Sequence, residues 1–412
     1  MKKLMIIYVI MTLPAVSAFC AGGEKSKIFT PYFDMVLTEG VYVPSEGNFF
    51  SGGEIDTRVG LLAKASEKDS FFGLYSFAYS GPGFNPQDTE QWQDRSLSHG
   101  FNIEYRRNLS DKFRIRPGIA YSTEFRRTGS NEAWENGLYN TDSLGGQLAV
   151  DYNFDFEKNG MLTFQALYRN IEFPNYTDLL SEFNNASNTA ETSGGLQDQK
   201  MKQVSLRPGW NNFFGGITYT LQDYENQKVV ESNGAYGNTL QENKTTRFDL
   251  GFHHTLWIFE MYPVASYTMY RSNQNYMRYK YLGATSTDLT SGSSDVTFVS
   301  KSYDYNEIEL SVPVDLLLTK TGKWAINGSM SMTKRDYTDR PPRDANNNYD
   351  FSKQQNNLLT VLGGGLRKRL NDVSMFRINY SLIIAESNNK FEQYLPYNYT
   401  GNSLGISYQL KY

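Results

Sequence analysis

The chain has 412 residues but a single cysteine, Cys20, and only three histidines. With no second cysteine there is no intramolecular disulfide to brace the fold. With so few histidines there is no ligand set of the kind zinc requires. After residue 16 there is no apolar run near the ~20 residues that a membrane-spanning helix needs. No stretch sustains the 3.6-residue period of an amphipathic helix. Neither charge sign dominates, with 40 Lys+Arg against 44 Asp+Glu. That balance lacks the strongly basic footprint of a nucleic-acid binder. No Pro-rich linker or charge block divides the chain after its first residues, so one domain is expected.

The first residues, MKKLMIIYVIMTLPAVSAFCAGG, combine two lysines, an apolar run from Leu4 to Val16 and small residues. That is the layout of a secretory signal, read here as residues 1–21 with cleavage near 18–21. Phe19 stands where a lipoprotein signal would have a small residue, which argues against acylation of Cys20. Residues 22–412 are then the mature domain.

Aromatic residues are abundant, with 30 Tyr and 26 Phe, yet the mean hydropathy is −0.54. Strands that bury only every second residue reconcile the two, because a membrane-spanning barrel needs apolar side chains on one face only. The alternation is explicit. In FRIRPGIAYSTEFRR, Phe113, Ile115, Ile119, Tyr121 and Phe125 oppose Arg114, Arg116, Ser122, Glu124 and Arg126. In NEIELSVPVDLL, Ile308, Leu310, Val312, Val314 and Leu316 oppose Glu307, Glu309, Ser311 and Asp315. In SLSHGFNIEYRRN, Leu97, Phe101, Ile103 and Tyr105 oppose Ser98, Asn102, Glu104 and Arg106. The last residues, GNSLGISYQLKY, alternate to the end of the chain.

Short polar links at 66–69, 109–112, 155–160, 209–212, 319–322 and 370–374 read as hairpin turns. Longer polar stretches lie between the hairpins, at 81–95, 128–141, 174–197, 226–244, 273–301 and 337–352. The sequence therefore predicts an all-β, antiparallel, up-and-down transmembrane barrel of about 16 strands, with 14 or 18 as the alternatives. Short periplasmic turns, long extracellular loops and an outer-membrane location in a Gram-negative bacterium follow from that class.

The closing residues carry a resemblance. Ser403, Gly405, Tyr408 and Leu410 in SLGISYQL, followed by Tyr412, resemble the C-terminal signal read by the barrel-insertion machinery. That resemblance implies the machinery as a partner during biogenesis. More broadly, YTDR (337–340) and SNNKFEQYLPYNYTGNSLGISY (387–408) resemble the terminal hairpins of surface-lipoprotein assembly modifiers and tetratricopeptide-linked exporters. That likeness implies export of a polysaccharide or lipoprotein with a periplasmic partner.

By strand parity, Arg58, Arg106, Arg114, Arg116, Arg126, Arg169, Arg207, Arg247, Arg335 and Arg377 point away from lipid, as do Glu104 and Glu124. So many guanidinium groups are tolerable only in a wet interior, and a barrel of ~16 strands is wide enough to hold water. The expected function is passive diffusion of small hydrophilic or anionic solutes through this lumen, in contact with outer-membrane lipid and without a cofactor. A mutually neutralising brace is the competing use of the same residues. No Gly-x-Ser-x-Gly or His-Glu-x-x-His occurs. His99 has lipid-facing parity beside Ser96 and Ser98, which favours an interfacial histidine over a hydrolase triad, so no catalytic residue is expected. DANNNYD (344–350) begins like a calcium loop but has Tyr349 at the glycine place and no closing acid at Gln355. No metal site is therefore expected. The solute and the oligomeric state are not legible.

Overall fold

A computed structural model describes residues 28–45, 50–82, 94–127, 133–177, 194–279, 296–319, 321–392 and 397–412. The stretch expected to be a leader, 1–21, lies outside the described residues.

The alternating stretches form antiparallel strands paired in chain order. The first ten are β1 (Phe29–Pro44), β2 (Phe50–Lys64), β3 (Asp69–Pro82), β4 (Arg95–Asn108), β5 (Phe113–Arg127), β6 (Thr141–Asp155), β7 (Gly160–Glu172), β8 (Gln199–Trp210), β9 (Phe213–Val230) and β10 (Tyr236–Phe252). Next come the short β11 (His254–Leu256) and β12 (Phe259–Met261), then β13 (Val264–Ser272). β14 (Tyr276–Tyr279) and β15 (Val296–Val299) pair only with each other. β16 (Tyr305–Leu317), β17 (Trp324–Tyr337), β18 (Asn356–Arg369), β19 (Ser374–Ser387) and β20 (Tyr399–Lys411) complete the wall.

The main sheet has 18 strand segments, but β10–β11 and β12–β13 are each one strand with a break, so the barrel has 16 strands. The second break is at Tyr262–Pro263, where proline has no N–H to give the ladder. Tyr262 N instead donates to Pro313 O at 3.1 Å, which holds the strand in place.

Closure is direct. β20 pairs with β1 from Asp34↔Lys411 to Pro44↔Gly401. Tyr412 N donates to Phe33 O at 2.7 Å and Phe33 N to Tyr412 O at 2.9 Å. No edge is left at the seam, as a hydrocarbon surround demands.

The six short links all turn as expected. Ser66 Oγ accepts from Lys68 N and Asp69 N, and Ser110 Oγ accepts from Lys112 N and Phe113 N. Asn159, Asn211 and Gly322 take positive φ at three of the others, which these residue types tolerate. The strand ends that the longer connections join lie at the other end. The expected polar loop at 226–244 is mostly strand, since β9 runs to Val230 and β10 starts at Tyr236. Both faces of a hairpin beyond the membrane are wet, so its alternation disappears although its backbone pairing continues. Likewise 273–301 contains the small hairpin β14–β15.

The two faces of the wall differ. Ile103, Ile119, Leu144 and Leu250 are 55–63% exposed, whereas Glu104 is 5% and Asp151 1% exposed. A curved sheet crowds side chains on its concave face and spreads them on its convex one. The apolar residues are therefore outside and the polar ones inside, the reverse of a soluble domain. Near the long-loop end the outer face turns polar. Lys202 pairs with Asp223 at 2.7 Å, Lys200 with Glu225, and Lys244 with Glu242. Below them on the same face lie Val204, Leu206, Ile217, Tyr219, Phe248 and Leu250, and the turn residues Trp210 and Phe213 close the belt. The closed barrel with this apolar belt is that of an outer-membrane protein.

Candidate functional site

The inner face carries charge in clusters, and strand register decides which groups meet. Arg114 on β5 lies opposite Asp151 on β6, which lies opposite Thr163 on β7. Arg116 is one inward step along β5. It grips Asp151 with two nitrogens, Nε to Oδ2 at 2.8 Å and Nη2 to Oδ1 at 3.0 Å, and reaches Glu104 on β4 at 3.1 Å with Nη1. Arg114 Nε adds a 2.7 Å bond to Asp151 Oδ2, and Thr163 Oγ1 donates to Oδ1 at 2.8 Å. Glu104 also takes Arg106 Nε at 2.6 Å, and Arg106 lies over the Phe72 ring at 4.8 Å. Gln147 donates to Glu104, and Gln165 to Gln147. The side chains of Asp151 and Glu104 are only 2% and 7% exposed. Every oxygen of these two acids is engaged, the condition under which a buried charge is tolerated.

The other expected residues fall into separate pairs. Arg247 bonds Asp249 at 2.8 Å, Glu309 at 2.7 Å and Ser266 Oγ at 2.8 Å. Arg335 pairs with Glu307 at 2.7 Å and stacks on Tyr305 at 4.2 Å. Arg126 pairs with Glu124 at 2.7 Å and Arg58 with Asp56 at 3.2 Å, both largely exposed. Arg169, Arg207 and Arg377 have no carboxylate partner among the described residues. Arg377 lies directly opposite Arg367 in the β18–β19 register, and Arg367 is the one that pairs with Asp315, at 2.8 Å.

Arg367 was missed by parity because LLTVLGGGLRKR is apolar on both faces before it reaches the arginine. The four arginines on β4 and β5 face three acids rather than the two on their own strands. Asp151 shares their face by parity, but only the pairing of β5 with β6 brings it between Arg114 and Arg116.

Across the barrel the wall is different. Asn327, Ser329, Ser331, Gly363, Gly365, Ser381, Ser403 and Gly405 occupy its middle on β17–β20. The interior thus has one charged arc and one arc of mostly small neutral groups, with Val361 and Ile383 side by side on the same face. Ser403, Gly405, Tyr408 and Leu410 stand opposite Tyr42, Gly40, Leu37 and Met35 on β1, with Tyr412 bonded to Phe33.

No family model matches the chain, and no curated protein matches it. Among solved structures it is similar to OmpT, an outer membrane protein of Vibrio cholerae, at 11% identity over 95% of this chain and 100% of that one, TM-score 0.46. It is similar to a bacterial polysaccharide outer membrane secretin at 10% identity over 92% and 98%, TM-score 0.43. It is also similar to the outer membrane protein opdK from Pseudomonas aeruginosa at 8% identity over 93% and 99%, TM-score 0.41. Likeness at this level adds nothing to what the strand pairing shows.

Other candidate chemistry sits apart. His99 is on the outer face between Tyr75 and Phe77, and its Nδ1 is 2.8 Å from Tyr75 Oη. Asp344 caps its own turn, accepting from Asn346 N and Asn348 N. Among the described residues no group of three His, Cys, Asp or Glu is placed to hold a metal.

In the same loop, hydrogen bonds from Ser352 and an ion pair with Lys353 hold the Asp350 carboxyl down to about 2. A depressed carboxyl stabilises the folded loop above its ordinary value of 3.8. That contribution fades as the pH falls from there and is gone below about 2. Amide exchange across 348–353, corrected for its intrinsic pH dependence, should show protection intact at pH 5 and reduced at pH 2. In Asp350→Asn it should be already reduced at pH 5.

Proposed function

We propose that the chain is an outer-membrane channel that lets small hydrophilic solutes diffuse through a wet lumen, with a modest preference for anions. The supporting observation is the contrast between paired and unpaired arginines. Arg106, Arg114, Arg116, Arg126, Arg247 and Arg335 are held by acids and brace the wall, while Arg58 makes one long, half-exposed pair with Asp56. Arg169, Arg207 and Arg377 have no such partner, so their charge is available to a passing anion. A guanidinium in this position lowers the barrier for carboxylate or phosphate while water remains in the pore.

The effect is short-ranged, since screening confines it to about 8 Å at physiological salt. In planar bilayers under a salt gradient, the reversal potential should report anion preference. The triple variant Arg169→Gln/Arg207→Gln/Arg377→Gln should lower the anion-to-cation permeability ratio about twofold at low salt and less at high salt. An unchanged ratio would mean these three groups do not set selectivity. A purified, folded barrel that never conducts would favour the export reading, in which a periplasmic partner opens the channel.

A further inference from the structure

Near the short-turn end, the inner face of β1–β4 is hollowed by a cavity of about 360 Å³. Its lining departs from the polar wall around it. Leu62 on β2 lies opposite Phe72 on β3, and Leu74 follows Phe72 on the same face. Tyr32, Gly60 and Leu74 stand side by side across three strands. Gly60 opens the space between its neighbours. A Cβ there would meet Leu74 Cδ1 at 3.2 Å and Phe72 Cε2 at 3.4 Å. Two cations border the apolar floor, Arg58 and Arg106. Arg106 is committed to Glu104 and to the Phe72 ring. Arg58 is less so: among the described residues its one ion pair, to Asp56, is 3.2 Å long, and both side chains are about half exposed. Most of its donors remain free for a carboxylate.

Apolar side chains clustered around a hollow in a wet lumen offer a dry surface to a passing solute. Ile28, the apolar residue just before β1, does not cover that surface, since it is 61% exposed and does not line the recess. The volume is at the small end of ligand sites, which span about 300–1,000 Å³. A floor of leucine and phenylalanine with one available guanidinium at its rim fits a compact body bearing one negative charge.

We propose that this recess is a binding subsite for small amphiphilic monocarboxylates. The ring or branched chain rests on Leu62, Phe72 and Leu74, and the carboxylate meets Arg58. The inference rests on the channel reading of the same lumen, because a solute must enter the barrel to reach the recess.

Benzoate is the probe, with acetate (charge without body) and benzyl alcohol (body without charge) as comparators. In planar bilayers, benzoate should block the open-channel current at concentrations at least tenfold below either comparator. Leu74→Ser and Arg58→Gln should each raise the half-blocking concentration at least fivefold. Gly60→Leu, which fills the space, should remove the effect. Heat-modifiable migration establishes that each variant is folded, and any variant that is not is replaced by Leu62→Ser. If acetate blocks as well as benzoate, or if folded Leu74→Ser and Arg58→Gln respond like the native protein, the subsite does not exist. If the native protein passes no current, the channel reading fails, and the recess is then judged by calorimetric titration of benzoate into the protein in lipid nanodiscs. Saturable heat that is lost in Leu74→Ser supports the subsite. Its absence in the native protein overturns it.

Discussion

Removing residues 408–412 should leave a chain that cannot form the barrel. The deletion strips β20 of its pairs with Asp34, Met35, Val36 and Leu37 on one side and with Ser374, Met375 and Phe376 on the other. It also removes both bonds between Phe33 and Tyr412. The exposed N–H and C=O groups would then face hydrocarbon, at several kcal/mol for each unsatisfied group. No local repair is available, because β1 and β19 are too far apart to pair once the strand between them is short. The expected result is loss of heat-modifiable migration in detergent and loss of the protein from the membrane fraction. Normal amounts of a folded, truncated barrel would show that closure does not depend on these pairs.

Asp151→Asn should be the most damaging single change on the inner wall. The substitution keeps the volume but removes the charge that Arg114 and Arg116 share. Arg116 keeps Glu104, while Arg114 loses its only ion pair among the described residues. Asp151 is buried, but Arg114 is 41% exposed and Arg116 keeps an acid, so the loss is about 2 kcal/mol, below that of a fully buried orphaned charge. By contrast, Asp56→Asn breaks a pair that is half exposed on both sides, and such pairs contribute under about 1 kcal/mol. Urea unfolding in lipid vesicles should therefore show a large fall in midpoint for Asp151→Asn and little change for Asp56→Asn. Equal effects would mean that burial does not govern the wall.

The strands were legible because lipid outside and water inside impose a period of two on nearly every one of them. β5 and β16 show it residue by residue. The signal failed where that contrast failed. Beyond the membrane, β9 and β10 continue as a hairpin wetted on both faces, and their sequence reads as loop. In β18, apolar residues on both faces hid the parity of Arg367. For the arginines on alternating strands the face was legible for the same reason, but the partner was not. Which acid meets which arginine depends on strand register, and register is a property of two strands at once. Asp151 is 35 residues from Arg116 in sequence, yet the β5–β6 pairing makes it that residue's main contact. The recess by Gly60 was equally hidden, since it exists only when β1, β2 and β3 lie side by side.

The ladder of lysines and acids on the outer face of β8–β10 fixes how deep the barrel can sit. Acyl chains cannot rise past Lys202 and Lys244 without stripping water from six charges. The aromatic floor at Trp210 and Phe213 marks the opposite limit. On β8 those limits are eight residues apart, roughly 20 Å along the membrane normal for a strand rising ~3.3 Å per residue and tilted ~40°. The apolar band of an outer-membrane barrel is ordinarily about 25 Å tall. On this side, then, the lipid must pinch inward to meet the protein, and a thick membrane would resist doing so. The same six charges that look like surface decoration act as a draught mark, matching the barrel to a thin membrane.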